Sequence, residues 1–173
     1  MHVTKPRRWA PIAALVTLAA LGAACSDGDD TRTVTAADYS FENLPREVDA
    51  GTTLTLKNAS TKELHEMVVI RIPDAERRSV QELVNLPESQ QETVFAPGPP
   101  AMVLTAPPGG DDVIKAVGDG KLNEKGRYAV VCFIPTGADP QAYLNAPPSD
   151  GPPKVAGGPP HVAKGMFGEI TVK

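Results

Sequence analysis

Alternation between apolar and polar side chains is the feature that most limits how this chain can fold. In the segment EVDAGTTLTLKNAS, a turn at Gly51 is followed by Leu54 and Leu56, which are separated by one polar residue. A period of two places such residues on the same face, which is typical of a half-buried β-strand. Residues 33–45 and 64–73 also have strand patterns. The first part of the chain therefore predicts an antiparallel sheet.

One segment interrupts this series of strands. Residues 74–92 contain few β-forming residues and place Val80, Leu83 and Val84 at helical spacing. The pattern predicts one short surface helix that ends before Pro87.

The second half of the chain returns to strands. AMVLT, DDVIKAV and NEKGRYAVVCFIP are strand candidates, and FGEITVK at the end of the chain is the last. Residues 135–160, before that last strand, contain eight prolines and four glycines. We predict that this segment is a long surface loop, because it is unsuited to pairing in a sheet or to continuing a helix. The series predicts an all-β sandwich or Greek-key barrel over residues 33–173, with one short helix.

The first 24 residues have the pattern of a signal peptide. Lys5, Arg7 and Arg8 precede an apolar run that is too short to span a bilayer comfortably, and small residues follow up to Cys25. LGAAC resembles a bacterial lipobox, which implies cleavage before Cys25 and lipidation of its sulfur. Gly22 stands where the lipobox prefers a large aliphatic residue, so cleavage by an ordinary signal peptidase is the alternative. In the lipidated protein, residues 25–32 would form a flexible tether between the anchor and the folded domain.

Removal of this leader makes the chain strongly acidic. The leader takes three of the 17 basic residues and none of the 21 acidic ones, so the mature chain has a net charge of −7. This charge disfavours nucleic acid and an anionic bilayer surface as partners. The expected location is the extracytoplasmic face of a bacterial membrane, with a lipid at the N-terminus as the anchor.

The exported chain is poor in residues that bind soft metals, but it has one complete set. It retains two histidines, His65 and His161, and one cysteine besides Cys25, namely Cys132. Met166 follows His161 by five residues. Two histidines, a cysteine and a weak axial methionine form blue-copper electron-transfer sites. Taken singly, Cys132 also fits a small buried apolar residue, Met166 a core side chain, and His161 an exposed loop residue.

The order and the surroundings of these residues resemble the cupredoxins, the family of plastocyanin, azurin and amicyanin. KNASTKELHEMVV resembles the segment that carries the first histidine of the family, and GRYAVVC matches its G-x-Y-x-x-x-C pattern. HVAKGMFGEITVK matches its final histidine, methionine and glycine-bearing last strand. The resemblance covers about residues 33–173 and implies one copper per chain, held by His65, Cys132, His161 and Met166.

The resemblance implies a function and several roles. The chain is expected to be a membrane-anchored protein that carries single electrons as its copper changes between Cu(I) and Cu(II). Its partner would be another redox protein. His161 would be the exposed edge through which electrons pass, and Met166 would tune the potential. A copper carrier or sensor and a metal-free binding module are the alternatives. An enzyme is disfavoured, because the chain has neither the extra domains nor the His-x-His pairs of copper oxidases.

The chain departs from the family at two points. Twenty-eight residues separate Cys132 from His161, where family members have only a few. The residue after the first histidine, often an asparagine that ties the ligand loops together, is Glu66. We therefore expect support for the ligands to come from a residue other than Glu66.

Overall fold

The structure is a computed structural model that describes Met1 and residues 30–95, 98–110, 112–147 and 151–173. Most of the predicted leader, Cys25 and the greater part of the tether lie outside these residues. The first strand begins at Thr31, so the last two residues assigned to the tether belong to the folded domain.

Two β-sheets pack face to face, which confirms the predicted all-β sandwich. The strands of the described residues are β1 Thr31–Ala37, β2 Ser40–Glu42, β3 Glu47–Val48, β4 Thr52–Asn58, β5 His65–Arg71, β6 Met102–Ala106, β7 Ile114–Val117, β8 Lys121–Leu122, β9 Gly126–Val131 and β10 Phe167–Val172. They form a four-stranded sheet in the order β2-β1-β4-β8 and a six-stranded sheet in the order β3-β10-β9-β5-β6-β7. Strand β1 runs parallel to β4, and β3 runs parallel to β10, whereas the other pairs are antiparallel.

The alternation in β4 places its apolar residues in the core between the two sheets. Leu54 and Leu56 are almost completely buried, as the period of two predicted. They belong to one cluster with Met67 and Val69 of β5. Met67 is therefore a core residue.

Strand β5 is buried on both faces, and this explains its continuous apolar sequence. Val68 and Ile70 point away from the central core and pack in a second cluster against Phe95 and Phe167. Residues 80–95, which follow β5, therefore cover the outer face of the larger sheet. The same covered face explains why a helical segment interrupts the series of strands.

Short helices are more numerous than predicted. The predicted helix is α1, Val80–Val84, and a capping box between Ser79 and Glu82 begins it. Two further helices, α2 Glu88–Phe95 and α3 Pro140–Leu144, were not expected. The expectation of one helix was therefore wrong.

The segment 135–160 contains helix α3 and is held at both ends. Asp139 caps α3 by accepting a hydrogen bond from the N–H of Ala142 (2.7 Å), and Pro140 is its first residue. Proline suits that position because the first helical N–H has no intrahelical partner. The prediction that the segment forms no helix was thus wrong for residues 140–144. We call residues 135–160 the excursion.

Backbone hydrogen bonds close the base of the excursion. Thr136 donates its N–H to the carbonyl of Pro159 (3.1 Å), and Gly158 donates to the carbonyl of Thr136 (2.8 Å). His161 then donates its N–H to the carbonyl of Ile134 (3.0 Å). The chain therefore leaves and returns at the same point, directly beyond the end of β9. Among the described residues, no helix is long and apolar enough to cross a membrane.

Candidate metal centre

Three buried side chains from three segments meet at one end of the sandwich. His65 is the first residue of β5, Cys132 directly follows β9, and His161 begins a 3₁₀ helix, His161–Lys164. All three are fully buried. One ligand atom from each lies within 4.8 Å of the others. The structure thus brings together three of the four residues that the sequence predicted as ligands.

The imidazole of His161 is oriented towards the thiol. Its Nδ1 lies 3.4 Å from Sγ of Cys132. The rings of His65 and His161 are 4.9 Å apart between centroids and tilted by 55°. The three donors therefore surround a common space rather than lying in a row.

The ring nitrogens of His65 supply the test of whether a metal fits this space. Within the described part of the chain, neither Nδ1 nor Nε2 of His65 has a hydrogen-bond partner, and both are buried. A buried polar atom without a partner costs free energy of about 1–3 kcal/mol. A metal ion bound by one of these nitrogens offsets that cost. Thiolate and imidazole together suit copper or zinc, whereas magnesium and calcium prefer oxygen ligands.

Burial shifts the protonation equilibria of all three donors. It lowers the pKa of His65 to about 4, with a further contribution from His161, and it also lowers the pKa of His161. Both imidazoles are therefore neutral at physiological pH, which is the form that binds a metal. Burial raises the pKa of the Cys132 thiol to about 12, and the carboxylate of Glu66 adds to the shift. Metal binding must therefore displace a proton from this sulfur.

Met166 lies next to the three donors in the backbone network. Its N–H donates to the carbonyl of His161 (3.1 Å), and its carbonyl accepts the N–H of Cys132 (3.3 Å). Gly165 before it has φ 103°, a left-handed conformation that glycine adopts without strain and that ends the 3₁₀ helix. The side chain of Met166 is fully buried. Its role as the axial ligand stays a prediction.

The long separation between Cys132 and His161 does not displace the histidine. Val162 donates its N–H to the carbonyl of Cys132 (2.8 Å), in addition to the bond between His161 and Ile134. These bonds fix the 3₁₀ helix against the residues that follow β9. The excursion is therefore an insertion whose two ends meet beside the thiol.

His161 is not the exposed edge that the resemblance implied. Its side chain is 0% exposed. The ring of Tyr39, from the turn between β1 and β2, covers it edge-to-face at 5.1 Å between centroids. The ammonium of Lys164 lies 4.6 Å from the centre of the Tyr39 ring. The prediction was wrong because a single sequence does not show which distant side chain lies over a loop.

Glu63 occupies the other side of His161. Its Oε2 lies 3.4 Å from Nε2 of His161, without the geometry of a hydrogen bond, and it accepts the N–H of Gly137 (3.0 Å). Asn58 holds the chain that carries Glu63: its side-chain amide donates to the carbonyls of Glu63 and Ala106, both at 2.9 Å. Glu63 therefore places negative charge beside the imidazole and also holds the start of the excursion.

Glu66 supports the ligand segments, although the sequence suggested that this support comes from another residue. It is only 4% exposed, and its Oε1 accepts the N–H of Phe133 (3.1 Å). Its own N–H points to Sγ of Cys132 at 3.5 Å. The expectation that support comes from a residue other than Glu66 was therefore wrong. An acidic residue inside the apolar strand LHEMVVIRI is the sequence signal that indicates a buried partner.

Comparisons with known proteins found similarity in solved structures alone. No family model and no curated protein matches the chain. Reduced auracyanin from Roseiflexus castenholzii is 18% identical with a TM-score of 0.44, covering 83% of this chain and 96% of that one. Auracyanin A, a "blue" copper protein from Chloroflexus aurantiacus, is 16% identical with a TM-score of 0.43, covering 84% and 100%. Reduced rusticyanin is 16% identical with a TM-score of 0.43, covering 84% and 81%.

This chain's own architecture has the fold and the donor cluster that the resemblance to the cupredoxins implied. Two sheets form the sandwich, and a His-Cys-His cluster lies at one end of it. His65, Cys132 and His161 come from the three segments in which the sequence predicted ligands.

Proposed function

We propose that this chain is an exported copper protein that transfers single electrons through one mononuclear site. The observation that carries the proposal is the buried set of His65, Cys132 and His161, with both ring nitrogens of His65 unpaired within the described residues. A bound copper would supply the exchange of one electron between Cu(II) and Cu(I). The thiolate of Cys132 and the imidazoles of His65 and His161 would hold the copper, and the thioether of Met166 would add a weak donor.

The construction of the site suits electron transfer. The three donors are attached to the ends of two sheet strands and to a hydrogen-bonded 3₁₀ helix, so their positions change little when the metal changes its charge. Complete burial excludes water from the donors. Both properties reduce the rearrangement of the donors and of the solvent that accompanies an electron transfer.

The same burial disfavours two other functions, a copper carrier and an enzyme with a cysteine nucleophile. A copper carrier hands its metal to an acceptor, which requires a donor that the acceptor can reach, and none of the three is exposed. A cysteine nucleophile requires an accessible thiolate, whereas Cys132 is buried and its pKa is raised to about 12. We therefore infer a role that is not enzymatic.

Voltammetry together with a transfer assay tests the proposal. The copper-loaded protein should give a reversible one-electron wave and should release its Cu(I) only slowly to a metal-free copper acceptor of similar affinity. Rapid transfer of the metal without a reversible wave would favour a carrier. Failure to bind copper would favour a metal-free binding module. Cys132→Ser is the control that removes the thiolate.

We also propose that Cys25 carries a lipid that holds the protein on the extracytoplasmic face of a bacterial membrane. The support is the basic start, the apolar run and the small residues before Cys25. Cys25→Ala should release the protein from the membrane fraction or leave an uncleaved precursor, whereas Ser26→Ala should not. A processed, membrane-bound Cys25→Ala protein would contradict the anchor. The electron partner would then be another redox protein at that membrane.

A further inference from the structure

Tyr143 connects the excursion to the metal centre. It lies in helix α3 and is 5% exposed. Its hydroxyl donates a hydrogen bond to Oε2 of Glu66 at 2.9 Å, across 77 residues of sequence. The excursion is therefore attached to the residue next to the first histidine, in addition to the closure at its base.

Glu66 in turn contacts the segment that carries the thiol. One carboxylate oxygen accepts the N–H of Phe133, while the backbone N–H of Glu66 approaches Sγ of Cys132. The carboxylate thus lies between the hydroxyl of Tyr143 on one side and the amide that follows Cys132 on the other. Glu66 thus links the strand that begins with His65 to the segment that carries Cys132.

The hydroxyl of Tyr143 is an important partner for this carboxylate. Across residues 30–95, 98–110, 112–147 and 151–173, the structure shows no ion pair of Glu66 with a lysine or an arginine. A buried carboxyl group without a cation depends on hydrogen-bond donors to stay in place. In the part of the chain that the structure describes, its oxygens accept hydrogen bonds from the hydroxyl of Tyr143 and the amide of Phe133.

We propose that Tyr143 is a positioning residue of the metal centre that acts through Glu66. The excursion, which the sequence presents as a surface loop, is in this respect a part of the site. The hydroxyl of Tyr143 fixes the Glu66 carboxylate. The carboxylate in turn fixes the distance and direction of the Cys132 sulfur relative to the bound metal. The energy of the thiolate-to-copper absorption and the reduction potential depend on that sulfur. The part of this proposal that concerns the absorption band and the reduction potential rests on the copper function proposed above.

Tyr143→Phe is the variant that tests the proposal, because it removes only the hydroxyl. The matched control is Tyr128→Phe. Tyr128 is also buried in the core, but its hydroxyl donates to the backbone carbonyl of Glu124 (2.8 Å) rather than to Glu66. Glu66→Met leaves no oxygen to accept the Tyr143 hydroxyl, so Glu66→Met and the double variant Glu66→Met/Tyr143→Phe determine whether Tyr143 acts through Glu66.

The first measurement uses the metal-free, full-length protein and is independent of copper. Amide hydrogen exchange by NMR should show the N–H of Phe133 exchanging about tenfold faster in Tyr143→Phe, because its acceptor is no longer held. The rate in Tyr128→Phe should stay at the wild-type value. Unchanged exchange at Phe133 in Tyr143→Phe would overturn the proposal whether or not the protein binds copper.

The second measurement uses the copper-loaded protein. Tyr143→Phe should shift both the visible absorption band and the reduction potential, and Tyr128→Phe should shift neither. The double variant should match Glu66→Met alone. An unshifted band and potential in Tyr143→Phe, or effects of the two substitutions that simply add, would overturn the action through Glu66. Absence of copper in the wild-type protein would instead overturn the proposed function, and the exchange measurement would still decide the role of Tyr143.

Discussion

Nδ1 of His161 lies 3.4 Å from Sγ of Cys132, although 28 residues separate the two in the sequence. The cost of closing a loop grows only with the logarithm of its length, so a long insertion between two ligands is tolerated. Backbone hydrogen bonds at the base of the excursion then determine where the chain returns. The return of His161 to the thiol therefore depends on the bonds at this base and not on the length of the excursion.

The cover over His161 leads to a prediction about access to the metal. Tyr39 packs on the imidazole, and its hydroxyl lies 3.5 Å from Oε1 of Glu63. Tyr39→Ala should open a path to His161 and speed the loss of Cu(I) to an excess of chelator by about tenfold, which corresponds to about 1.4 kcal/mol. Tyr39→Phe keeps the ring and serves as the control. Equal rates in the wild type and Tyr39→Ala would show that Tyr39 does not limit access.

Two opposite pKa shifts predict how the stability of the metal-free protein depends on pH. Burial lowers the pKa of His65 from 6.5 to about 4, so the unfolded chain binds more protons there and stability rises with pH between those values. Burial raises the pKa of Glu66 from 4.5 to about 7, so the folded chain binds more protons there and stability falls as pH rises from 4.5 to 7. In the wild type these contributions oppose each other.

Glu66→Gln should remove one of the two contributions. Between pH 4.5 and 7, the free energy of unfolding of the metal-free variant should increase by about 3 kcal/mol more than that of the wild type. Urea unfolding at several pH values measures this difference. Glu124→Gln, at an exposed carboxylate, is the control for the loss of one acidic residue. Parallel profiles for Glu66→Gln and the wild type would contradict the buried, protonatable state of Glu66.

Met166 should determine the potential without determining whether copper binds. A thioether is a weak ligand for Cu(II), and its removal destabilises Cu(II) relative to Cu(I). Met166→Leu should therefore keep copper and raise the reduction potential, whereas Met166→Gln should lower it because an amide oxygen is a harder donor. A shift of about 60 mV corresponds to a tenfold change in the Cu(II)/Cu(I) ratio. Voltammetry of both variants checks the signs, and shifts in the same direction would contradict an axial role.

The sequence predicted the features that depend on local pattern. The alternation of Leu54 and Leu56 predicted a half-buried strand, and both residues are in the core. The local surroundings of His65, Cys132 and His161 indicated three ligands, and their ligand atoms lie within 4.8 Å of one another. Strand periodicity and the surroundings of each ligand depend on residues that are close together in the chain, so one sequence is enough to identify them.

Features that depend on contacts between distant segments were not predicted. Glu66 meets Tyr143 across 77 residues, and Glu63 meets Gly137 across 74. Nothing in the local sequence of either partner indicates the other, so the support from Glu66 and the burial of His161 were both missed. Helix α3 is different, because Asp139 followed by Pro140 is a start signal that the sequence did contain.

The absorption spectrum of the purified full-length protein during titration with Cu(II) tests the central claim most directly. An intense visible band from the Cys132 thiolate to copper should appear and saturate at one copper per chain. It should be absent in Cys132→Ser and mostly lost in His161→Ala, in which water can enter the site. A wild-type protein that stays colourless and binds no copper at micromolar metal, or a His161→Ala spectrum identical to that of the wild type, would contradict the assignment of this centre.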